Sequence, residues 1–188
     1  MRKILVIATL MVCVLCSLPS GGSSAGQEKS VAVKTAATDG VFKVTIATGG
    51  GLYGPVKSRF KVGEDVPVVI SMTNTGDKPA KYCLSTSVFQ NRPQMRKDGQ
   101  LLPYLSSLSQ QADKEDAIEQ CERSQSRQLY DLQPNETKVV DWFKISAMGI
   151  AWYELLSAGH YELVLMRRVE CCQGALLESN KVAFEVVP

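Results

Sequence analysis

The only histidine of this 188-residue chain, His160, stands between Gly159 and Tyr161. Acyl-transfer chemistry needs a nucleophile, a base and a group that orients the base. Serines are plentiful, but none lies in a Gly-x-Ser-x-Gly elbow. A lone imidazole with no partner motif does not make a triad, so His160 reads as a turn-to-strand residue with no catalytic role. Metal chemistry is equally poor. There is no histidine pair and no Asp-x-Asp calcium loop. The densest acidic run, Asp113 to Asp116, is interrupted by Lys114 and reads as a solvated face. Thr48-Gly-Gly-Gly-Leu-Tyr-Gly-Pro55 is rich in glycine, and such loops can cradle phosphate. That use needs a helix N-terminus behind the loop and usually a Gly-Lys-Ser/Thr ending. A proline and a short strand follow here, so the segment reads as a mobile connection between strands. No catalytic residue, metal ligand or cofactor is expected.

Cysteine is the one reactive residue type with a pattern. Of six cysteines, Cys13 and Cys16 fall in the apolar run from Ile4 to Leu18, which follows the basic pair Arg2-Lys3. Ser23 and Ala25 then offer small residues to a signal peptidase. Residues 1–25 are therefore read as a secretory signal peptide. The run is short for a span of roughly 20 residues, which counts against a membrane anchor. Val12 and Leu15, where a lipobox wants Gly or Ala, count against a lipoprotein. Cleavage would remove Arg2 and Lys3 and leave 19 basic against 19 acidic residues. A neutral mature chain gives no electrostatic footprint for nucleic acid. Cys83, Cys121, Cys171 and Cys172 would remain. An even count in an exported chain, with no C-x-x-C spacing, favours disulfides over zinc. Asn135-Glu-Thr137 is a glycosylation sequon, relevant only to a eukaryotic secretory route. The short signal reads as bacterial, and the expected location is secreted or periplasmic.

The elements that would carry these residues are strands. Residues 26–40 are small and polar, a flexible leader. Phe42, Val44 and Ile46 share one face of a strand from Val41 to Thr48. Gly63-Glu64 turns the chain into a second strand, with Val66, Val68, Ile70 and Met72 alternating against Pro67, Val69, Ser71 and Thr73. Asn74 to Pro79 is a turn cluster, and another strand follows over Lys81–Phe89. Arg96 to Gln100 reads as a hairpin tip. Ser106 to Arg127 is polar, with a possible helix at 112–122 whose apolar stripe is thin, so residues 90–127 are read as one long solvated insertion. The turn at Leu132-Gln-Pro-Asn-Glu136 feeds a strand over Thr137–Ile145. There Val139, Asp141, Phe143 and Ile145 share one parity, and Val140 and Trp142 the other. Met148 to Leu156 is an apolar connection. Gly159 precedes Tyr161 by two residues at the next strand start, the pattern of a tyrosine corner. In the strand Tyr161–Val169, Arg167 and Arg168 point to opposite faces, and one can pair with Asp141. The last strand, Lys181–Val187, turns Val182, Phe184 and Val186 inward. The fold class is an all-β, immunoglobulin-like antiparallel β-sandwich of about seven strands over residues 41–188.

The elements Phe60-x-Val-Gly-Glu-x-Val-Pro-Val, Thr73-Asn-Thr-Gly-Asp, Leu132-x-Pro-Asn-Glu and Leu156-x-x-Gly-x-Tyr resemble those of bacterial exported immunoglobulin-like domains. They are similar in style to BsuPI-type proteinase-inhibitor domains, over roughly residues 41–187. Asn135 replaces the usual glycine of the second turn, which a left-handed backbone tolerates. The resemblance implies the sandwich, and no reactive-site residue carries over. In an immunoglobulin-like order, the strand holding Cys83 lies beside the end of the strand that finishes near Val169. Neighbouring residues on an extended chain face opposite ways. Cys83 shares parity with Lys81, Ser85 and Ser87, a solvent face, and Cys172 shares parity with Arg168 and Glu170. The pairing read from this is Cys83–Cys172 and, by elimination, Cys121–Cys171. A bulge near Cys171 would exchange the partners. The functional expectation is a non-enzymatic binding or structural module whose partner is another protein or an envelope component, with no nucleic acid and no stable membrane span after cleavage. A protease-inhibitor-like domain is the first alternative, and an extracytoplasmic enzyme of unrecognised type the second.

Overall fold

The computed structural model describes residues 41–117, 128–145, 151–170 and 176–188. The signal over 1–25, the leader over 26–40 and the cysteines at 121, 171 and 172 lie outside the described residues. The fold is all-β, and its strands are numbered in chain order. One sheet holds β1 (Phe42–Thr48), β3 (Pro67–Asn74) and β8 (Thr137–Lys144), in the order β1-β3-β8. The other runs β2 (Arg59–Lys61), β11 (Val182–Val187), β9 (Gly159–Arg168), β5 (Asn91–Lys97) and β6 (Gln100–Leu101). There β10 (Leu176–Glu178) pairs with the far end of β9. A ribbon of β4 (Ala80–Leu84) and β7 (Gln128–Leu132) completes the described strands. All the pairings are antiparallel except β2 with β11, which is parallel. The strands beyond the seven or so read from the sequence include β2, β6 and β10. Each has three residues or fewer, too short to show a period.

The core lies between the two large sheets. Val44 and Ile46 of β1, then Val66, Val68, Ile70 and Met72, meet Tyr161, Leu163 and Leu165 of β9 with Phe184 and Val186 of β11, all buried. Burying each large aliphatic side chain contributes about 1.5–3 kcal/mol. Asn180 joins the sheets by its side chain. Its Oδ1 accepts the Ile46 N–H at 2.7 Å and its Nδ2 donates to the Ile46 carbonyl at 3.1 Å, so one amide occupies the place of a strand neighbour.

The expected insertion at 90–127 begins later than its polar sequence implied. Residues 91–97 are β5, paired along their whole length with β9. Asn91, Arg92 and Pro93 are buried. Pro93 fits because β6 pairs only with Arg96 and Lys97, leaving one side of Pro93 without a ladder, as proline requires. The Tyr153 hydroxyl fills that side. It accepts the Met95 N–H at 3.1 Å and donates to the Pro93 carbonyl at 2.7 Å. Burial pushes this phenol well above its ordinary pKa. The strand expected over Lys81–Phe89 stops at Leu84. Thr86 then caps a single helical turn, α1 (Ser87–Gln90), by accepting the Phe89 N–H. The helix expected at 112–122 is α2, Ser106–Ala117 among the described residues.

Two sequence signatures take the predicted geometry. Asn135 adopts φ 60° in its turn. The Tyr161 hydroxyl donates to the Ser157 carbonyl at 2.7 Å, tying the preceding connection to the start of β9 as the corner pattern predicts. Tyr161→Phe should therefore keep the stacked contact with Phe184 and lose about 0.5–1.5 kcal/mol. Urea unfolding checks this, and an unchanged midpoint would deny the corner a stabilising role.

Cys83 departs from its assigned face. It is 2% exposed rather than on a solvent face, because Tyr82 and Cys83 are both covered at this end of the ribbon. Its N–H donates to the Val169 carbonyl at 3.0 Å, so the expected neighbourhood of the two segments holds. Cys83 is disulfide-bonded, and its partner lies outside the described residues.

Candidate interaction surface

The glycine-rich segment after β1 is a built turn. The Gly49 N–H donates to Pro67 O at 2.8 Å and the Lys57 N–H to Thr48 O at 3.0 Å, closing both ends. Inside, the Gly50 N–H reaches Gly54 O and the Tyr53 N–H reaches Gly50 O, around a 3₁₀ turn at Gly51–Tyr53. Gly49 has φ 78°, and a Cβ there would sit 2.4 Å from the Pro55 carbonyl oxygen. Only glycine lets the loop fold back this closely. The turn leaves Leu52 98% exposed and lays the Tyr53 ring against Trp142, with centroids 4.5 Å apart.

Trp142 faces outward by plain alternation with the buried Phe143, and Val139 joins it on that face because β8 carries a bulge. The register with β3 shifts between Ile70 and Ser71, so that Asp141 opposes Ile70 while Val139 opposes Ser71. Val140 is the extra residue. The strict alternation read from the sequence fails at that point. Val140, Phe143 and Ile145 are buried, whereas Val139 and Trp142 are exposed, Trp142 by 46%. Ala47, Val69 and Trp142 form one row across the sheet, and Thr45, Ser71 and Val139 the next. The result is an apolar outer face with a leucine projecting beside it. Its rim is charge-balanced by the ion pairs Lys57–Glu64 and Lys144–Asp65. The outer edge of β8 is blunted where the Trp142 N–H donates to Asp141 Oδ1 at 2.8 Å, which disfavours strand addition there. The face rather than the edge is what this sheet offers.

The opposite sheet gathers the buried charge. Arg167 and Arg168 do point to opposite faces. Arg167 turns inward and meets Asp141 Oδ2 of the other sheet at 3.0 Å, so it is the arginine of the two that pairs with Asp141. Burial lowers the Arg167 pKa and Asp141 opposes that shift. Arg168 turns outward under α2. Its Nη2 and the Arg92 Nη2 both donate to one oxygen, Asp116 Oδ1, at 2.7 and 2.5 Å. Arg92 also donates to the Val88 carbonyl and Arg168 to the Phe89 carbonyl, with the Arg168 guanidinium 4.9 Å from the Phe89 ring. Asp116 belongs to the acidic run that read as a solvated face. Here it pins α2 to the sheet. These arginines are committed to structure.

His160 lies exposed on the outer side of β9, where its backbone N–H donates to Asp98 Oδ1 at 3.1 Å. Among the described residues, no group of three or more His, Cys, Asp or Glu side chains could hold a metal ion. None of their helices is long and apolar enough to cross a membrane. The exposed Leu52–Tyr53–Trp142 surface was missed in the sequence. The one available signal was an aromatic residue on the parity opposite Phe143.

No protein-family model matches the chain, and no curated protein matches it. Among solved structures it is similar to a beta-glucosidase from Listeria innocua in complex with glucose, with TM-score 0.36 and 11% identity over 77% of this chain. The mutant beta-glucosidase from the same organism in complex with laminaribiose gives TM-score 0.35 at 12% identity over 78% of this chain. A beta-glucosidase involved in saponin metabolism from intestinal bacteria gives TM-score 0.32 at 16% identity, again over 78%. The chain spans 16% of the length of each. Likeness at this level carries no functional argument.

Proposed function

We propose that this protein is a non-enzymatic exported binding module, secreted or periplasmic, that docks another protein or an envelope component on the outer face of its three-stranded sheet. The observation that carries the reading is the apolar surface of Leu52 and Tyr53 on a hydrogen-bonded turn beside Val139 and Trp142 of β8. Exposed clusters of large apolar residues mark interaction sites, and tryptophan and tyrosine dominate binding energy at such sites. Export rests on the Arg2-Lys3 and Ile4–Leu18 signal. The disulfide framework belongs to the same reading, with Cys83 bonded beside Val169 and Cys172 its proposed partner, leaving Cys121 for Cys171.

A protease-inhibitor-like domain is the second reading. It is favoured by the near-complete exposure of Leu52 between glycines, and by the resemblance to BsuPI-type domains. Protease clefts bind extended main chain, by strand addition. The 3₁₀ turn at Gly51–Tyr53 does not present that shape, so the docking face is preferred.

The test is capture of the partner from the native envelope fraction with a photo-crosslinker at Val56, followed by affinity measurement. Leu52→Asp and Trp142→Ser should each weaken binding roughly 30-fold, and His160→Gln should leave it unchanged. Full affinity in a folded Leu52→Asp/Trp142→Ser protein would overturn the reading. Turnover of a substrate lost with His160→Gln would return the enzyme reading.

A further inference from the structure

A cleft of about 430 Å³ opens beside the tyrosine corner, away from the docking face. One wall is Leu102, Tyr104 and Leu105, from the connection between β6 and α2, and the other is the connection through Leu156 and Ser157. The walls are fixed at the back. The Leu105 N–H donates to the Trp152 carbonyl at 3.0 Å, and the Tyr104 ring packs edge-on against Trp152 and Tyr153 at 5.1 and 5.6 Å. Burial pushes the Tyr104 phenol up to about 12, so it stays a neutral donor at physiological pH. Size and lining match small-molecule sites, which are mostly apolar and aromatic with a few placed polar groups.

The placed polar group is Lys97. Its Nζ donates to Ser157 Oγ at 2.6 Å and lies 5.8 Å from the centre of the Tyr161 ring. Gly159 makes room for it, since a Cβ there would come within 2.5 Å of Lys97 Cε. Among the described residues, no carboxylate forms an ion pair with Lys97. Asp98, the adjacent acid, accepts the His160 N–H through Oδ1; its Oδ2 stands on the same side of Gly159 as the ammonium without forming an ion pair with it. Glu154 stands exposed on the rim, where water screens it. An oriented ammonium on a half-buried lysine, beside aromatic and aliphatic walls, selects an anion with an apolar body. A carboxylate matches it through a charge-assisted hydrogen bond.

We propose that this cleft binds a small carboxylate with an aromatic or branched apolar body, its carboxylate on Lys97 and its body between Tyr104 and Leu156. Such a group occurs as a free acid or as the last residue of a peptide.

Titrations of the full exported chain with N-acetyl-phenylalanine and with N-acetyl-phenylalaninamide, followed by Trp152 fluorescence and amide NMR shifts, test it. The acid should saturate, with shifts at residues 97, 102, 104–106 and 153–157. The amide should bind about ten-fold weaker or less tightly still. Lys97→Met should erase the difference, and Lys97→Gln serves if the Met variant does not fold. Trp142→Ser should change nothing, so failure here and failure of the docking face are distinguishable. Gly-Gly-Phe with a free terminus, binding tighter than the acetylated acid, would assign the site to peptide ends, and the reverse order to free acids. The proposal is overturned by no saturation at millimolar acid, by equal binding of acid and amide, or by undiminished discrimination in a folded Lys97 variant.

Discussion

Asp116→Ala should destabilise the protein by about 3 kcal/mol or more, a large effect for one carboxylate on the surface of a helix. The Arg92 and Arg168 side chains are each only 9% exposed, and both guanidiniums converge on Asp116 Oδ1. Removing the acid leaves two like charges buried side by side. Burial already lowers the Arg92 pKa, and Arg168 adds to that shift while Asp116 opposes it. The Arg168 Nε has no partner among the described residues, so it cannot offset the loss. Asp116 itself is 46% exposed, and water entering beside the arginines holds the cost to the lower part of the range for a broken buried pair. Apolar packing cannot substitute, because α2 buries only Leu108 and Ala112 among its described side chains. Urea unfolding with a constant slope would measure the change. A loss below about 0.5 kcal/mol would make α2 an independent surface element and this contact incidental.

In sequence Asp116 reads as one charge on a solvated face, because the arginines it binds lie far from it along the chain. Period-two alternation placed Val66, Val68, Ile70 and Met72 in the core, and the Gly159–Tyr161 spacing placed the corner. Both signals are local, and both depend on one face of a strand being apolar. They fail where burial is polar. Asn91, Arg92 and Arg167 look like surface residues in sequence and are buried because each is satisfied by a residue far away in the chain. Strand β5 was therefore read as part of an insertion. The bulge at Val140 is invisible for a different reason. A single unpaired residue leaves composition untouched but reverses parity on its N-terminal side, sending Val139 out and Val140 in. That reversal adds Val139 to an outer surface whose Trp142 follows ordinary alternation, and the rest of the surface comes from a glycine turn whose closure depends on carbonyls of Thr48 and Pro67. That one of Arg167 and Arg168 pairs with Asp141 was legible because Asp141 stood at core parity, where an unpaired charge is costly; which arginine turns inward is settled by the register of β9.

That pair supports the other large prediction, in which the two partners are not equivalent. Asp141→Ala should cost about 3–5 kcal/mol, and Arg167→Met should cost clearly less. Arg167 is wholly buried. Its Nη1 donates to Asp141 Oδ2 at 3.0 Å and to Asn91 Oδ1 at 2.6 Å, and its Nη2 reaches Gln90 Oε1 at 3.4 Å. Those amides are engaged elsewhere, Gln90 with the Cys83 carbonyl and Asn91 with Ser87. They are neutral and cannot balance a charge once the carboxylate is gone. Asp141 keeps 23% of its side chain exposed and still accepts the Trp142 N–H, so it can turn to water when the arginine is removed. Replacing both, as Arg167→Met with Asp141→Leu, removes the charges together and should fall within about 1 kcal/mol of the parent, since an apolar pair of similar volume often equals a buried ion pair. The expected order of urea midpoints is parent and double variant together, then Arg167→Met, then Asp141→Ala lowest. If Arg167→Met were as damaging as Asp141→Ala, the arginine's packing rather than its charge would hold the sheets together at this point.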